Sequence, residues 1–331
     1  MTGMLLSKGF VATFGQQLNE VARGAELVLD IVHLPDDAQA RLAQADCDRI
    51  EVALQTRDIR FSEHYRSFVD TLIAARNLKW AHFHSAAIGP HAFVPLLLAR
   101  GVRLTTSAGS DGEPVAQTAI TTLLMLGRGF PRWLDAQHRK RWEPVRGAAQ
   151  PRDLRGQTIV IVGMGNIGNP VARFAQALGM HVIGIRRKLR APEDPVHEMH
   201  TLSELPKLLP RCDWVLLACP LTQETRYIIN TQTLALMKKG AGLINVACGG
   251  VADEAAVIAA LKSGQLGCAH LDVFETEPLP PESPLWTLPN VILTPHTASA
   301  SSGNVRRGAE IFFSNLEKWA RGEPLKNEHR A

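Results

Sequence analysis

Three glycines spaced as GxGxxG are the part of this chain most directly suited to chemistry. In VGMGNIG, Gly163, Gly165 and Gly168 follow the continuous apolar run TIVIV and precede a helical stretch. At such a junction each glycine has a physical task. Gly163 permits a tight turn, Gly165 lets the backbone approach a pyrophosphate, and Gly168 lets helix and strand pack closely. The helix entered through Asn166 and Ile167 offers N–H groups and the positive end of its dipole to phosphates. A glycine-rich turn without a ligand is the plainer alternative, and the strand–loop–helix–strand setting weighs against it. The end of the next strand separates the cofactors. An Asp or Glu about 20 residues beyond the loop would hold the ribose 2′-hydroxyl of NAD. Here the stretch reads Ile185, Arg186, Arg187, Lys188, with no carboxylate. Arginine binds a 2′-phosphate through charge-assisted bidentate bonds. The pair therefore favours NADP(H) over NAD(H), with a solvated basic turn that tolerates either as the alternative.

Other reactive side chains carry less. His82 and His84 would share one face of a strand, where a metal is conceivable. No neighbouring carboxylate or cysteine completes that set, so strand-end or cleft histidines are the expectation. Ser85 lies in no nucleophile-elbow pattern. The five cysteines, Cys47, Cys212, Cys219, Cys248 and Cys268, are odd in number and lack CxxC spacing. That pattern points to reduced thiols in a cytosol rather than to disulfides or zinc. The basic run at Arg139 to Arg141 reads as a solvated helix end.

The elements that position the glycine loop are legible from pattern. Asp36–Leu54 reads as helical, Phe68–Ala75 as a helix, and Asn77–Phe83 and Val102–Thr105 as short strands. A long helix is expected from Pro114 to Trp142, since proline suits a first helical turn. From Thr158 the alternation sharpens: strand TIVIV, helix Asn166–Leu178 ended by Gly179, strand HVIGI, helix Leu202–Leu209, strand DWVLLA, helix Leu234–Lys238, strand GLINVA, helix Glu254–Ser263, a strand at His270–Val273, and NVILTP. Strands joined by crossover helices make a doubly wound parallel α/β sheet. The boundary between two domains is expected near Thr105–Ser110. A second crossing follows His296, with the C-terminal helix returning to the first domain.

Composition fits that reading and excludes others. The 331 residues exceed what one core usually holds, so two domains are expected. Hydrophobic residues make up 45% and charged residues 21%, the mix of an ordinary globular protein. A net charge of +4 steers weakly toward small anions and makes no case for nucleic acid. No apolar run approaches a membrane span, and the first residues lack a signal-peptide pattern, so a cytoplasmic protein is expected.

Ordered blocks then carry a family resemblance. The glycine loop, CDWVLLACPLTQETRYIIN, MKKGAGLINVACGGVADEAAVIAALKSG, LDVFETEPLP and NVILTPH together resemble the D-isomer-specific 2-hydroxyacid dehydrogenases. The likeness runs from about Val102 to Ser301 and is looser before that. It implies a flavodoxin-like substrate domain, residues 1–106 plus 298–331, and a Rossmann-type NAD(P)-binding domain, residues 107–297, inserted in it. It implies a homodimer held by the helix after Pro114, and hydride transfer with a small 2-keto or 2-hydroxy acid. By the family pattern, His296 is the general acid/base and Glu277 its carboxylate partner. Asp272 lies near the nicotinamide end, Pro220 and Thr222 line the cofactor loop, and Ser85, Ala86, Ala87 and Ile88 match the segment that receives the substrate carboxylate. Histidine suits proton delivery near neutrality, and a carboxylate orients its ring.

One position departs from that pattern. Where the family reads Asn-x-Ala-Arg-Gly, this chain reads Asn245, Val246, Ala247, Cys248, Gly249. The arginine of the family grips the substrate carboxylate, and a cysteine supplies neither charge nor fork geometry. Hydrogen bonds to charged groups contribute about 1.5–3 kcal/mol each. Losing two costs on the order of 3–6 kcal/mol, or roughly 10²–10⁴ in kcat/KM. Another arginine could compensate, with Arg57 and Arg60 as candidates. Alternatively the substrate is not an ordinary 2-keto acid, or the protein is a dinucleotide-binding sensor with little turnover. A nucleophilic Cys248 is disfavoured because hydride transfer needs no covalent intermediate. Retention of His296 and Glu277 favours an enzyme.

Overall fold

The computed structural model describes residues 1–85, 88–89, 91–187 and 193–329, with the side chain of residue 148 set aside. The chain divides into two units, Met1–Ser110 with Ser302–Ala331, and Asp111–Ser301. The first division falls at the end of the Thr105–Ser110 stretch, and the second a few residues after His296.

In the first unit, β1 (Thr2–Leu5), β2 (Leu29–Val32), β3 (Ile50–Gln55), β4 (Trp80–Phe83) and β5 (Arg103–Thr106) form a parallel sheet in the order β2–β1–β3–β4–β5. This is the flavodoxin-like order. Helices Lys8–Gly24, His64–Ala74 and Phe93–Ala99 connect the strands. The expected helix Asp36–Leu54 is not there. Its last five residues belong to β3, and only Gln44–Cys47 is helical. β3 lies between β1 and β4 and is buried on both faces; Ile50, Val52 and Leu54 recur along it at every second residue, the period of a strand rather than of a helix. His82 is fully buried in β4, its ring nitrogens 2.7 Å from Thr105 Oγ1 and 3.0 Å from Ser107 Oγ. Burial pushes its pKa down to about 3, leaving a neutral bridge between strands rather than a ligand. Among the described residues no cluster of His, Cys, Asp or Glu is placed to hold a metal.

The second unit opens with two helices, Gly112–Gly127 and Phe130–His138, in place of one long helix through Trp142. Gly129, at φ +76°, takes the left-handed conformation between them, and Pro131 suits the first turn of the second. The sheet contains β6 (Thr158–Val162), β7 (His181–Ile185), β8 (Glu198–His200), β9 (Trp214–Leu217), β10 (Ala241–Asn245), β11 (Leu266–Leu271) and β12 (Val291–Leu293). Its order is β12–β11–β10–β9–β6–β7–β8, parallel throughout. Successive side chains of β6 enter opposite cores: Val160 packs with Ile183, Val215 and Leu243, while Ile159 and Ile161 pack with Leu216 and Ile244. The strand order reverses between β6 and β9, where an open α/β sheet offers its ligand crevice.

Local differences have local causes. The helix expected at Leu234–Lys238 is Thr231–Leu236, because the Asn230 side chain caps it by accepting from Gln232 N and Thr233 N at 2.9 and 3.1 Å. The Leu202–Leu209 stretch is a 3₁₀ turn followed by the short helix Leu205–Leu208, which has Pro206 in its first turn. After Ser301 the chain returns to the first unit. Helix Asn304–Ala320 packs there, with Phe312 stacked on Trp80 at 5.3 Å, and β13 (Glu328–His329) pairs antiparallel with β5. Among the described residues no helix is long and apolar enough to cross a membrane.

Candidate active site

The glycine loop has the geometry its spacing implies. Gly163 sits at φ +106°, and a Cβ there would lie 2.5 Å from the Ala218 carbonyl oxygen. A Cβ on Gly168 would lie 2.2 Å from the Gly163 carbonyl oxygen. Gly165 is different: it is exposed, and nothing lies within 4 Å of the Cβ position. Two glycines therefore close the turn, and the third leaves an open face. Asn166 is exposed and Ile167 half-buried at the entry to helix Gly168–Ala177, which has no side-chain cap. A cavity of about 280 Å³ joins Gly163 and Gly165 to Arg186, Arg187, Pro220 and Thr222. The open face and the uncapped helix end fit a dinucleotide.

Two residues unremarked in the sequence shape this cavity. Thr225 accepts from Thr222 N at 2.8 Å and donates to the Pro220 carbonyl at 2.6 Å, folding the loop after β9 on itself. The T-x-x-T spacing was its only signal. Asp194, buried, receives both arms of Arg186 at 2.8 and 2.6 Å. Arg186 is thus held in a fork by a carboxylate of its own domain, whereas Arg187 is exposed.

The second part of the site lies at the carboxyl ends of neighbouring parallel strands β10, β11 and β12. His296 Nδ1 is 2.7 Å from Glu277 Oε2, and Glu277 Oε1 accepts from Phe274 N at 3.0 Å. The His296 side chain remains 62% exposed. Its backbone is in the left-handed region at φ +49°, uncommon for a residue with a side chain. That turn is held from below by Asp272, which is buried. The Asp272 carbonyl accepts from His296 N at 2.8 Å, and its carboxylate accepts from Thr297 N and Ala298 N at 2.9 and 3.0 Å. A cavity of about 530 Å³ adjoins the pair, walled by Phe274, Leu279, Trp286 and Leu293.

Cys248 follows β10, half-buried, and its carbonyl accepts from Val251 N at 3.1 Å. A Cβ on the next residue, Gly249, would lie 1.9 Å from the Phe274 carbonyl oxygen. The backbone beside Cys248 therefore abuts the segment that fixes Glu277. In the first unit, Ser85 is half-buried after β4 and Ile88 is buried in the core; Ala86 and Ala87 lie outside the described residues.

The family described as D-isomer specific 2-hydroxyacid dehydrogenase, NAD binding domain, matches residues 120–298. The chain belongs to the D-isomer specific 2-hydroxyacid dehydrogenase family. Among 2-hydroxyacid dehydrogenases it is 40% identical over 232 residues to the glyoxylate reductase of Thermococcus kodakarensis, covering 68% of each protein. A 2-hydroxyacid dehydrogenase from Xanthobacter autotrophicus Py2, solved with NADPH and MES, superposes with a TM-score of 0.73 at 31% identity, covering 99% of this chain and 98% of that one. The NADPH-dependent glyoxylate/hydroxypyruvate reductase of Sinorhizobium meliloti, solved with NADP and sulfate, gives 0.71 at 28%, with 99% and 98% covered. As a 2-hydroxyacid dehydrogenase, this chain is an NAD(P)-dependent oxidoreductase with a Rossmann-type domain.

Proposed function

We propose that the protein reduces a small 2-keto acid to the 2-hydroxy acid with NADPH, His296 delivering the proton and Glu277 orienting its ring. The observation that carries this is the 2.7 Å contact between His296 and Glu277, in the same domain as the dinucleotide cavity. The bound nicotinamide supplies the hydride. The chain's own residues do the rest. Gly163, Gly165 and Gly168, with Asn166 and Ile167, receive the pyrophosphate. Pro220 and Thr222 close one side of the cavity. Arg187 is the exposed cation for a 2′-phosphate, and Arg186, fixed by Asp194, shapes the turn that presents it. Asp272 enters through the turn it holds under His296. Ser85 and Ile88 mark the segment that receives the substrate carboxylate.

NADPH rather than NADH is supported by the two arginines after β7, in a sequence stretch, Ile185 to Lys188, that holds no carboxylate for a 2′-hydroxyl. The structures of relatives with NADPH or NADP support that choice, and the relatives named glyoxylate reductase support glyoxylate or hydroxypyruvate as substrate. Phe130, Leu134 and Trp142, exposed on and just beyond the second of the two helices after Pro114, support a homodimer through that region. Cys248 at the family's arginine position favours a second reading, a dinucleotide-binding sensor with little turnover.

The two are separated by NADPH oxidation against glyoxylate, hydroxypyruvate, pyruvate and bulkier 2-keto acids. Turnover that disappears in His296→Ala establishes the reductase. NADPH binding without turnover on any of them selects the sensor.

A further inference from the structure

His270 is a fully buried histidine in β11 with hydrogen-bond partners at both ring nitrogens. Nδ1 is 3.0 Å from Thr122 Oγ1, on helix Gly112–Gly127, and Nε2 is 3.0 Å from Thr294 Oγ1, just after β12. Thr294 in turn donates its hydroxyl to Asp272 Oδ1 at 2.5 Å. The same Asp272 carboxylate holds Thr297 N and Ala298 N, and the Asp272 carbonyl holds His296 N. Four side chains thus run in series from a helix of the domain to the turn that carries His296.

We propose that His270 is a positioning residue for the His296–Glu277 pair, a neutral imidazole protonated on Nε2 that passes hydrogen-bond polarity from Thr122 through Thr294 into the Asp272 carboxylate. The proposal rests on the acid/base reading of His296 given above.

Proton counting fixes the tautomer. An ionised carboxylate only accepts, so the single hydroxyl proton of Thr294 is committed to Asp272. Thr294 Oγ1 must therefore accept from His270, and the ring carries its hydrogen on Nε2. Nδ1 is then an acceptor and takes the Thr122 proton, whose other options are the carbonyls of Thr118 and Ala119 at 3.0 and 3.1 Å. Those carbonyls lie within a helix and keep their backbone partners. The opposite tautomer would set two acceptors, Nε2 and the Thr294 oxygen, against each other at 3.0 Å. An imidazolium is disfavoured independently: burial pushes the His270 pKa down to about 4, although the Asp272 charge pulls the other way. Asp272 is the charged group that the ring meets through Thr294.

The direction of these bonds matters for function. A buried carboxylate is tolerated where its oxygens are hydrogen-bonded. Thr294 aims one donor and the turn aims two more, so the carboxylate has a fixed orientation. That orientation holds the His296 backbone at φ +49°, a conformation that persists only when its surroundings dictate it. A ring that could not donate to Thr294 would free that hydroxyl to turn away and loosen the turn.

The test uses the full chain labelled with ¹⁵N-histidine. Long-range ¹H–¹⁵N correlation is expected to show one ring with the Nε2–H pattern, unchanged from about pH 5.5 to 8.5 and absent in His270→Gln. An Nδ1–H or imidazolium pattern for that ring overturns the proposal. In His270→Leu the His296 ring signals should shift, and kcat should fall at least about tenfold with NADPH affinity kept within about twofold. In His270→Gln, whose amide still donates to Thr294, kcat should stay within about threefold of the parent protein. A His270→Leu protein that binds NADPH with unmoved His296 signals and parental kcat overturns it too. Should His270→Leu fail to fold, the tautomer in the unsubstituted protein and the His270→Gln comparison still decide. Absence of turnover in the unsubstituted protein would sink the reductase reading, while the ring pattern and the His296 signals are read without turnover.

Discussion

Glu277 divides its carboxylate between a near and a distant partner: Oε1 accepts from Phe274 N at 3.0 Å, and Oε2 lies 2.7 Å from His296 Nδ1. The first bond fixes the carboxylate, and the second uses it to fix the imidazole. The ring itself remains largely exposed. Because His296 sits on a left-handed turn held by Asp272, backbone and ring are aimed by separate devices that meet in one residue.

His296→Ala should lower kcat/KM for keto-acid reduction by about 10²–10⁴, the usual worth of a positioned general acid. Glu277→Gln, which keeps the size of the side chain but loses its charge, should cost roughly ten- to a hundredfold. Cofactor affinity should be unchanged in both. Fluorescence titration with NADPH checks the affinity and steady-state oxidation checks the rate. Parental turnover in His296→Ala would remove the assignment.

Arg187→Ala should weaken NADPH by roughly ten- to a hundredfold and leave NADH nearly untouched, since one or two charge-assisted bonds to the 2′-phosphate are lost. Arg186→Ala should weaken both cofactors, because it releases Asp194 and disturbs the turn itself. Parallel titrations of the two variants with both nucleotides make the comparison. Equal losses for NADH and NADPH in Arg187→Ala would place the 2′-phosphate elsewhere.

Cys248→Arg restores a planar, permanently charged fork at the end of β10. If the absent arginine limits turnover, kcat/KM for glyoxylate should rise by about 10² or more. No gain across the panel of 2-keto acids would show that the pocket is built for something else.

Stability should depend on pH through Glu198. Arg211 donates to it, and His181 and His200 lie 2.8 and 3.1 Å from its oxygens. The Arg211 bonds foremost, then the two histidines, hold the Glu198 pKa down at about 2 against an ordinary 4.5. A carboxyl whose pKa is depressed by folding stabilises the folded state above its unfolded pKa, and that contribution is lost as pH falls toward the folded value. Glu198→Gln should therefore lower Tm at pH 7, with the deficit shrinking below about pH 4.5 and nearly gone by about pH 2. Thermal melts across that range give the answer, and a deficit independent of pH would count against it.

The second unit was far more legible than the first. From Thr158 onward, apolar runs separated by helical stretches gave strands and helices close to those observed, because the central strands β6, β7, β9 and β10 are buried on both faces. The first unit was harder: Leu42, Ile50 and Leu54 fit one helical face, which hid the strand period of Ile50, Val52 and Leu54 in the central strand β3. At Gly129 the chain needs a left-handed residue, and the apolar content on either side hid the break.

The sequence by itself determined the glycine loop, the basic end of β7, the His–Glu pair by its blocks, and the cysteine at position 248. These are local, and local spacing records them. Only the tertiary structure decided that Asp194 takes the fork of Arg186, that Thr225 folds the loop bearing Pro220 and Thr222, and that His270 joins Thr122 to Thr294 and Asp272. Each joins residues eight to more than a hundred positions apart or turns on which way a side chain points. A buried polar group must find its partner wherever the fold brings one, and that choice is made by packing, not by neighbours in the chain.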